Sequence, residues 1–194
     1  MCHPRSLRTA RLRRKKVGTS TSDRGYVGLL IQRLRERTGR PVEVVNLSRS
    51  GAHILDVLDM QLPALAARAR TPDLLTVAIG GNDMGSYDRQ VFAASVERRS
   101  AALPAGAHLT DVPYLTHDRS ERDAQEAADL LSSSVSQHGL RPMPRQATFR
   151  VQGWRGMSAQ FAADWVHPNG RGHRIGADAL WWEITRNPGV AAPQ

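Results

Sequence analysis

A carboxylate and an imidazole near the C-terminal end of the chain are the first candidates for catalytic chemistry. Asp164 and His167 are three residues apart, in the segment DWVHP, and side chains at this spacing can meet across one tight turn. A carboxylate beside an imidazole orients the ring and fixes its tautomer, as a general base requires. Pro168 favours extended backbone at the residue before it, which predicts that His167 precedes the following helix. The alternative is a helix cap beside a surface histidine.

Two other loops combine glycine with polar side chains. Gly51 ends the segment NLSRSG, and Asn82 stands in GGND about thirty residues later. Glycine lets a ligand approach the backbone closely, and an asparagine amide donates a hydrogen bond without carrying charge. Each loop alone also fits a structural role, because Gly51 can begin a helix and Asn-Asp is common in turns.

The elements around these loops alternate between helical and strand patterns from Gly25 onward. Helical spacing of apolar residues predicts helices near 26–38, 54–65, 88–102, 119–138 and 171–186. Short β-branched or apolar runs predict strands at 42–47, 74–79 and 108–112. The pattern leaves 141–150 unassigned, and it predicts that Trp181 and Trp182 are core residues. Strands separated by helices indicate a parallel sheet covered on both faces, with its ligand site at the carboxyl ends of the strands.

The positive charge of the chain is concentrated at its N-terminus. The 194 residues carry a net charge of +9, but residues 1–16 hold seven basic residues and no acid, which leaves the remainder at only +2. We interpret this segment as a disordered, solvated start. The alternative is an arm that binds RNA, DNA or anionic lipid by counterion release. Because the net charge of residues 17–194 is close to zero, we do not expect a nucleic-acid partner.

Composition excludes several other classes of protein. One cysteine, Cys2, allows neither an internal disulfide nor a cysteine-based zinc site. No apolar window is long enough to span a membrane, and the basic start lacks the apolar stretch of a secretory signal, which predicts a cytoplasmic protein. Asp164 and His167 do not supply three metal ligands, and Gly80-Gly81 lacks the pattern of a dinucleotide site, so we expect no metal and no cofactor. The sequence does not predict an oligomeric state.

Taken in order, these motifs resemble those of the SGNH hydrolases, also called GDSL lipases or esterases. IGGND (79–83), DWVHPNGRGH (164–173) and VVNLSRSGA (44–52) are similar to three of the family's blocks, and the resemblance covers roughly residues 24–186. It implies a flavodoxin-like three-layer α/β/α sandwich and a serine hydrolase acting on a small-molecule carboxylic ester. By position, His167 would be the general base and Asp164 its orienting carboxylate. The Gly51 backbone N–H and the Asn82 amide would be the oxyanion donors.

The family's first block, an apolar strand followed by Gly-Asp-Ser, has no counterpart in this chain. Ser20 and Ser6 are possible nucleophiles, but Arg-Arg-Lys-Lys at 13–16 does not fit a buried strand, and only five residues precede Ser6. The sequence therefore predicts that the first strand is lost. It divides the chain into a disordered segment 1–20, a hydrolase-like domain 21–188 and a tail 189–194.

Two hypotheses account for the missing block. Residues 1–16 could arise from a wrong start site or a reading-frame shift that replaced the strand and the nucleophile. Alternatively, the protein is a catalytically dead member of the family that uses its pocket only to bind a ligand. Both predict that neither serine is placed productively against His167 and that the chain as written is inactive or nearly so.

Overall fold

The sheet is parallel and has five strands in the order β2-β1-β3-β4-β5. The computed structural model describes residues 7–12, 25–113, 118–152, 156, 158–162 and 167–186, with side chains omitted at 7–12 and 118–120. The strands are β1 (Leu7–Leu12), β2 (Val42–Asn46), β3 (Leu74–Ala78), β4 (His108–Thr110) and β5 (Arg141–Met143). This order is that of the flavodoxin-like fold. The predicted fold class is confirmed.

The prediction that the first strand is lost is wrong. Leu7–Leu12 form β1, an interior strand of the sheet paired with β2 on one side and β3 on the other. Six residues of the segment assigned to a disordered start therefore belong to the sheet. The sequence was misleading because Arg8 and Arg11 interrupt the apolar residues of this strand, whereas a central parallel strand usually reads as a continuous apolar run.

The helices lie where the apolar periodicity predicts them. They are α1 (Tyr26–Thr38), α2 (Ile54–Asp56), a π-helical turn (Val57–Gln61), α3 (Leu62–Ala66), a 3₁₀ turn (Asp83–Ser86), α4 (Arg89–Ala102), α5 (Asp118–Gln137), α6 (Arg145–Arg150) and α7 (Gly170–Arg186). The unassigned stretch 141–150 supplies β5 and α6. These two elements are short, so neither leaves a clear period in the sequence.

Two apolar clusters cover the two faces of the sheet. One joins α2, α4 and α5 to the face that carries Leu75 and Val77. The other joins α1 and α7 to the face that carries Leu74. Because alternate strand residues point to opposite faces, adjacent Leu74 and Leu75 enter different clusters.

The prediction that Trp182 is a core residue is wrong. It is 56% exposed, and the Arg186 guanidinium lies 4.1 Å from the centroid of its ring. Trp181, one position away on α7, does pack partly buried against the α1–α7 cluster. A helix has only one buried stripe, so adjacent residues need not share it.

Within the described residues, no helix has both the length and the apolar character needed to cross a membrane. The same part of the chain holds no group of three or more His, Cys, Asp or Glu side chains arranged to bind a metal ion.

Candidate active site

The loops after β2 and β3 meet at the carboxyl edge of the sheet. The side-chain amide of Asn82 donates a hydrogen bond of 2.7 Å to the carbonyl of Ala52, the residue after Gly51. An amide nitrogen carries two hydrogens, so this contact leaves one hydrogen for a ligand. The structure therefore brings together the two loops that hold Gly51 and Asn82, the residues that the family resemblance implies as oxyanion donors.

Gly51 adopts a backbone conformation that favours glycine. Its φ is +76°, in the left-handed region that side chains with a Cβ rarely occupy. Gly51 is exposed, whereas Ala52 is buried. At the surface, the loop therefore presents a residue without a side chain. The buried Ala52, next in the chain, packs the loop against the protein.

The Gly80-Gly81 pair packs against the loop that follows β4. Gly80 has φ +109°, and a Cβ added there would lie 3.3 Å from Cγ1 of Val112. A Cβ at Gly81 would lie 3.3 Å from Cδ of Pro113. Both glycines allow the loop after β3 to run close beside the loop after β4. This close approach determines the position of Asn82 at the edge of the sheet.

Asp83 connects the same two loops by a second set of contacts. Its Oδ1 accepts a hydrogen bond of 3.3 Å from the backbone N–H of Ile54 and lies 3.5 Å from Nδ1 of His53. Sequence reasoning did not assign a role to Asp83 or His53. The motif GGND includes the aspartate, but nothing local in the sequence shows that its partner is a helix start thirty residues earlier.

His167 lies in a short antiparallel pairing that precedes α7. Its carbonyl accepts a hydrogen bond of 2.7 Å from the N–H of Ala162, and Pro168 forms a bridge with Phe161. The prediction that His167 precedes the helix is confirmed, since α7 begins at Gly170.

Asn169 holds this segment against α7. Its Oδ1 accepts hydrogen bonds from the N–H groups of Arg171 (2.9 Å) and Gly172 (3.2 Å), which caps the helix. Its Nδ2 donates to the carbonyls of Ala159 and Phe161, both at 3.0 Å. One side chain thus joins the first turn of α7 to the strand that pairs with the His167–Pro168 segment.

Ring contacts locate this segment at the carboxyl edge of the sheet. His173, in the second turn of α7, stacks on Tyr26 at the start of α1, with ring centroids 6.4 Å apart. Phe161 packs on Phe149 of α6, with centroids 6.0 Å apart. Both α1 and α6 follow strands in the chain and begin at their carboxyl ends, so His167 and Asn82 share one edge of the sheet.

The remaining predicted site residues lie outside the described residues. They are Asp164, Ser6 and Ser20. The contact between Asp164 and His167 therefore stays a prediction, as does the position of either serine.

Two titratable groups flank β4: the buried His108 begins the strand, and the partly buried Asp111 follows it at this edge of the sheet. Burial raises the pKa of Asp111 to about 6, although its Oδ1 accepts hydrogen bonds from the N–H groups of Arg145 (2.7 Å) and Gln146 (2.9 Å). Burial, and then the charge of Arg141, lowers the pKa of His108 to about 4. Asp111 thus attaches the start of α6 to the end of β4.

The fold and these loops define the class of protein. Residues 15–175 match the model of the GDSL-like lipase/acylhydrolase family, and the chain belongs to this family. A comparison with curated protein sequences gave no match.

Solved structures with the same fold cover nearly the whole chain. A catalytic mutant of Axe2, an acetylxylan esterase from Geobacillus stearothermophilus, is 20% identical with a TM-score of 0.76 over 95% of this chain and 96% of its own. TesA is 23% identical with a TM-score of 0.72, over 93% and 99%. LAE5, an α/β hydrolase from the metagenome of Lake Arreo in Spain, is 22% identical with a TM-score of 0.71, over 93% and 95%.

Proposed function

We propose that the protein hydrolyses small carboxylic esters by an acyl-serine route. The observation that carries the proposal is the hydrogen bond from Asn82 to Ala52, because it brings an amide donor beside the exposed Gly51 backbone. Two uncharged donors, from the ends of the strands on either side of β1, suit a carbonyl oxygen that becomes negative when the carbon is attacked. Membership of the GDSL-like family supports the same reaction.

In this proposal a serine hydroxyl attacks the ester carbonyl while His167 accepts its proton. Gly51 N–H and the second hydrogen of the Asn82 amide bind the resulting oxyanion. His167 then protonates the departing alcohol. Water next attacks the carbonyl of the acyl-serine while His167 accepts its proton, and His167 returns that proton to the serine oxygen as the carboxylic acid is released. Asp164 orients the imidazole of His167.

Ser20 is the nucleophile we propose. It follows β1 in the chain and lies within the segment that matches the family, whereas Ser6 lies outside it. Leu12, at the carboxyl end of β1, pairs with Val77 just before the Asn82 loop. Ser6 is bonded directly to Leu7, at the opposite end of the strand. Since β1 is present, only the missing Gly-Asp-Ser remains as a reason to expect an inactive chain.

Labelling and kinetics together test this proposal. We expect hydrolysis of p-nitrophenyl acetate to be lost in His167→Ala and retained in His138→Ala, a matched change at a histidine paired with Glu97. A fluorophosphonate should modify Ser20. Gly18-Thr19-Ser20 differs from Gly-Asp-Ser at one position, so Thr19→Asp should raise kcat. Ligand binding without turnover, in the unmodified chain and in Thr19→Asp, would instead support a catalytically dead member of the family.

A further inference from the structure

A small cavity lies at the carboxyl edge of the sheet, next to the segment that holds His167. Its volume is about 40 Å³, and it is bounded by the ends of β4 and β5 and by helices α1, α6 and α7. Most of its wall is apolar and includes Met143, Phe149, Pro168 and Leu180. A space of this volume holds roughly three atoms the size of a water molecule.

Thr110 places a buried hydroxyl in the wall of this cavity. Leu109 belongs to the apolar cluster on the other face of the sheet, so Thr110 faces α1 and α7, as does its partner in β5, Met143. Thr110 is 9% exposed, and its Oγ1 makes no hydrogen bond within the described residues. A buried hydroxyl without a partner is unfavourable, so a ligand that brings an oxygen into the cavity would gain a hydrogen bond there.

The wall of the cavity includes chain neighbours of both residues that we propose to react with the ester. Pro168 is bonded directly to His167, the proposed general base. Tyr26 begins α1, six residues after Ser20, the proposed nucleophile. An ester held between these two residues would therefore have an apolar space beside its acyl group.

We propose that this cavity receives the acyl group of the ester, and that its size and Thr110 select a short acyl chain that carries an oxygen. The proposal rests on the proposed ester hydrolysis and names the class of acid that is released. A glycolyl group has a hydroxyl where a propionyl group has a methyl, and only the hydroxyl can hydrogen-bond to Thr110. Esters of small hydroxy acids are therefore the substrates that fit the cavity in both size and polarity.

Filling the cavity from α7 tests the effect of its size. Gly176 lines the cavity, and a Cβ built there would meet nothing within 4 Å. The side chain in Gly176→Leu would point along the helix toward Gly172, which also lines the cavity. We expect this variant to lower kcat/KM for p-nitrophenyl propionate at least about tenfold, and for the acetate less. Arg174→Leu, at an exposed position of the same helix, is the matched control and should leave both values unchanged.

Enlarging the cavity should have the opposite effect. We expect the unmodified protein to hydrolyse p-nitrophenyl hexanoate at least about tenfold less efficiently than the propionate. Leu180→Ala removes a buried side chain from the wall and should reduce this preference by about threefold or more. If Leu180→Ala does not fold, Leu180→Val makes a smaller change in the same direction. A chain-length preference unchanged in both Gly176→Leu and the folded Leu180 variant would overturn the proposal.

A matched pair of substrates tests the role of Thr110. Methyl glycolate and methyl propionate differ in the same way as threonine and valine, by a hydroxyl in place of a methyl. Thr110→Val should lower the ratio of their kcat/KM values, glycolate over propionate, by about fivefold, the effect of one neutral hydrogen bond. Comparing ratios cancels the different intrinsic reactivities of the two esters. Thr110→Ser keeps the hydroxyl and should keep the ratio, whereas an unchanged ratio in Thr110→Val would overturn the selection for an oxygen.

Nuclear magnetic resonance gives a readout that needs no catalysis. Glycolamide, an unreactive analogue of the glycolyl group, should shift the methyl signal of Thr110, which is assigned by its absence in Thr110→Ser. The shift should saturate in the unmodified protein and in Arg174→Leu and be absent in Gly176→Leu. If the unmodified protein hydrolyses no ester, the proposed function fails. If it hydrolyses esters while glycolamide leaves the Thr110 signal unmoved, the role of the cavity fails alone.

Discussion

At Asn82, one amide hydrogen is bound by the Ala52 carbonyl and the other is the one we assign to the substrate. Asn82→Ala should therefore lower kcat by about 10²–10³-fold with little change in KM, the loss typical of one oxyanion donor. Steady-state kinetics with p-nitrophenyl acetate measures both constants. Asn82→Asp tests the chemistry, because it keeps the size but replaces a donor by an acceptor, and it should be as inactive as Asn82→Ala. Activity retained by either variant would contradict the assignment.

The meeting of two strand-end loops could be predicted from the sequence, whereas the burial of a charged helix residue could not. The pairing of the Gly51 and Asn82 loops was predictable because both follow apolar strands of one parallel sheet. Arg99 lies on α4 and is completely buried. An arginine on a helix usually reads as a solvated residue, and no pattern in α4 indicates that this one is buried.

At the scale of elements, Asn169 links the first turn of α7 to the pairing that holds His167. Asn169→Ala removes a helix cap and should lower the free energy of unfolding by about 1 kcal/mol. It should also lower kcat, because the bonds to the carbonyls of Ala159 and Phe161 are lost. Urea unfolding and ester hydrolysis measure the two effects. Asp88→Ala, which removes the cap of α4, should match the loss of stability while keeping kcat; equal kcat in both variants would show that Asn169 is only a cap.

His108, the first residue of β4, and Asp111, the residue after its end, make stability depend on pH in opposite directions. The pKa of His108 is about 4 in the folded protein and 6.5 ordinarily, so the unfolded chain binds a proton first as the pH falls below 6.5, and stability is lost. The pKa of Asp111 is raised from 3.8 to about 6. The folded protein therefore binds that proton first as the pH falls through 6, and stability is gained.

Single substitutions at His108 and at Asp111 should separate these two effects. Between pH 7 and 4.5 each group contributes about 2 kcal/mol, with opposite signs. His108→Gln should therefore make the protein less sensitive to acid, and Asp111→Asn should make it more sensitive. Urea unfolding at the two pH values measures the differences. Changes of the same sign in both variants would contradict the pKa shifts.

At the scale of the whole molecule, β1 joins β2 to the other three strands of the sheet. Ala10 pairs with Val45 on one side and Leu75 on the other. Ala10→Pro removes a backbone donor from a central strand, so we expect the protein to lose cooperative thermal unfolding or to be insoluble. Ala10→Val, which introduces a residue favoured in strands, should keep the fold. A cooperatively folded Ala10→Pro protein would show that this segment is not the central strand.

The rest of the architecture was predictable because its periodicity is strong. The long helices α1, α4, α5 and α7 and the apolar strand β3 were predicted to within about two residues. The first strand was missed because three of its six residues, Arg8, Thr9 and Arg11, are polar. Its place in the sheet depends on pairing with two distant strands, and a local pattern does not report such pairing.

The central position of β1 also matters while the chain is being made. β1 precedes in the chain both strands that it pairs with, Val42–Asn46 and Leu74–Val77, so it is synthesised before them. Until then both of its edges are open to strands of other nascent chains. Arg8 and Arg11, together with Arg-Arg-Lys-Lys at 13–16, place charge within and directly after this segment. Such charges oppose aggregation of an exposed strand, so we expect them to keep β1 from associating with other chains until its two partner strands are synthesised.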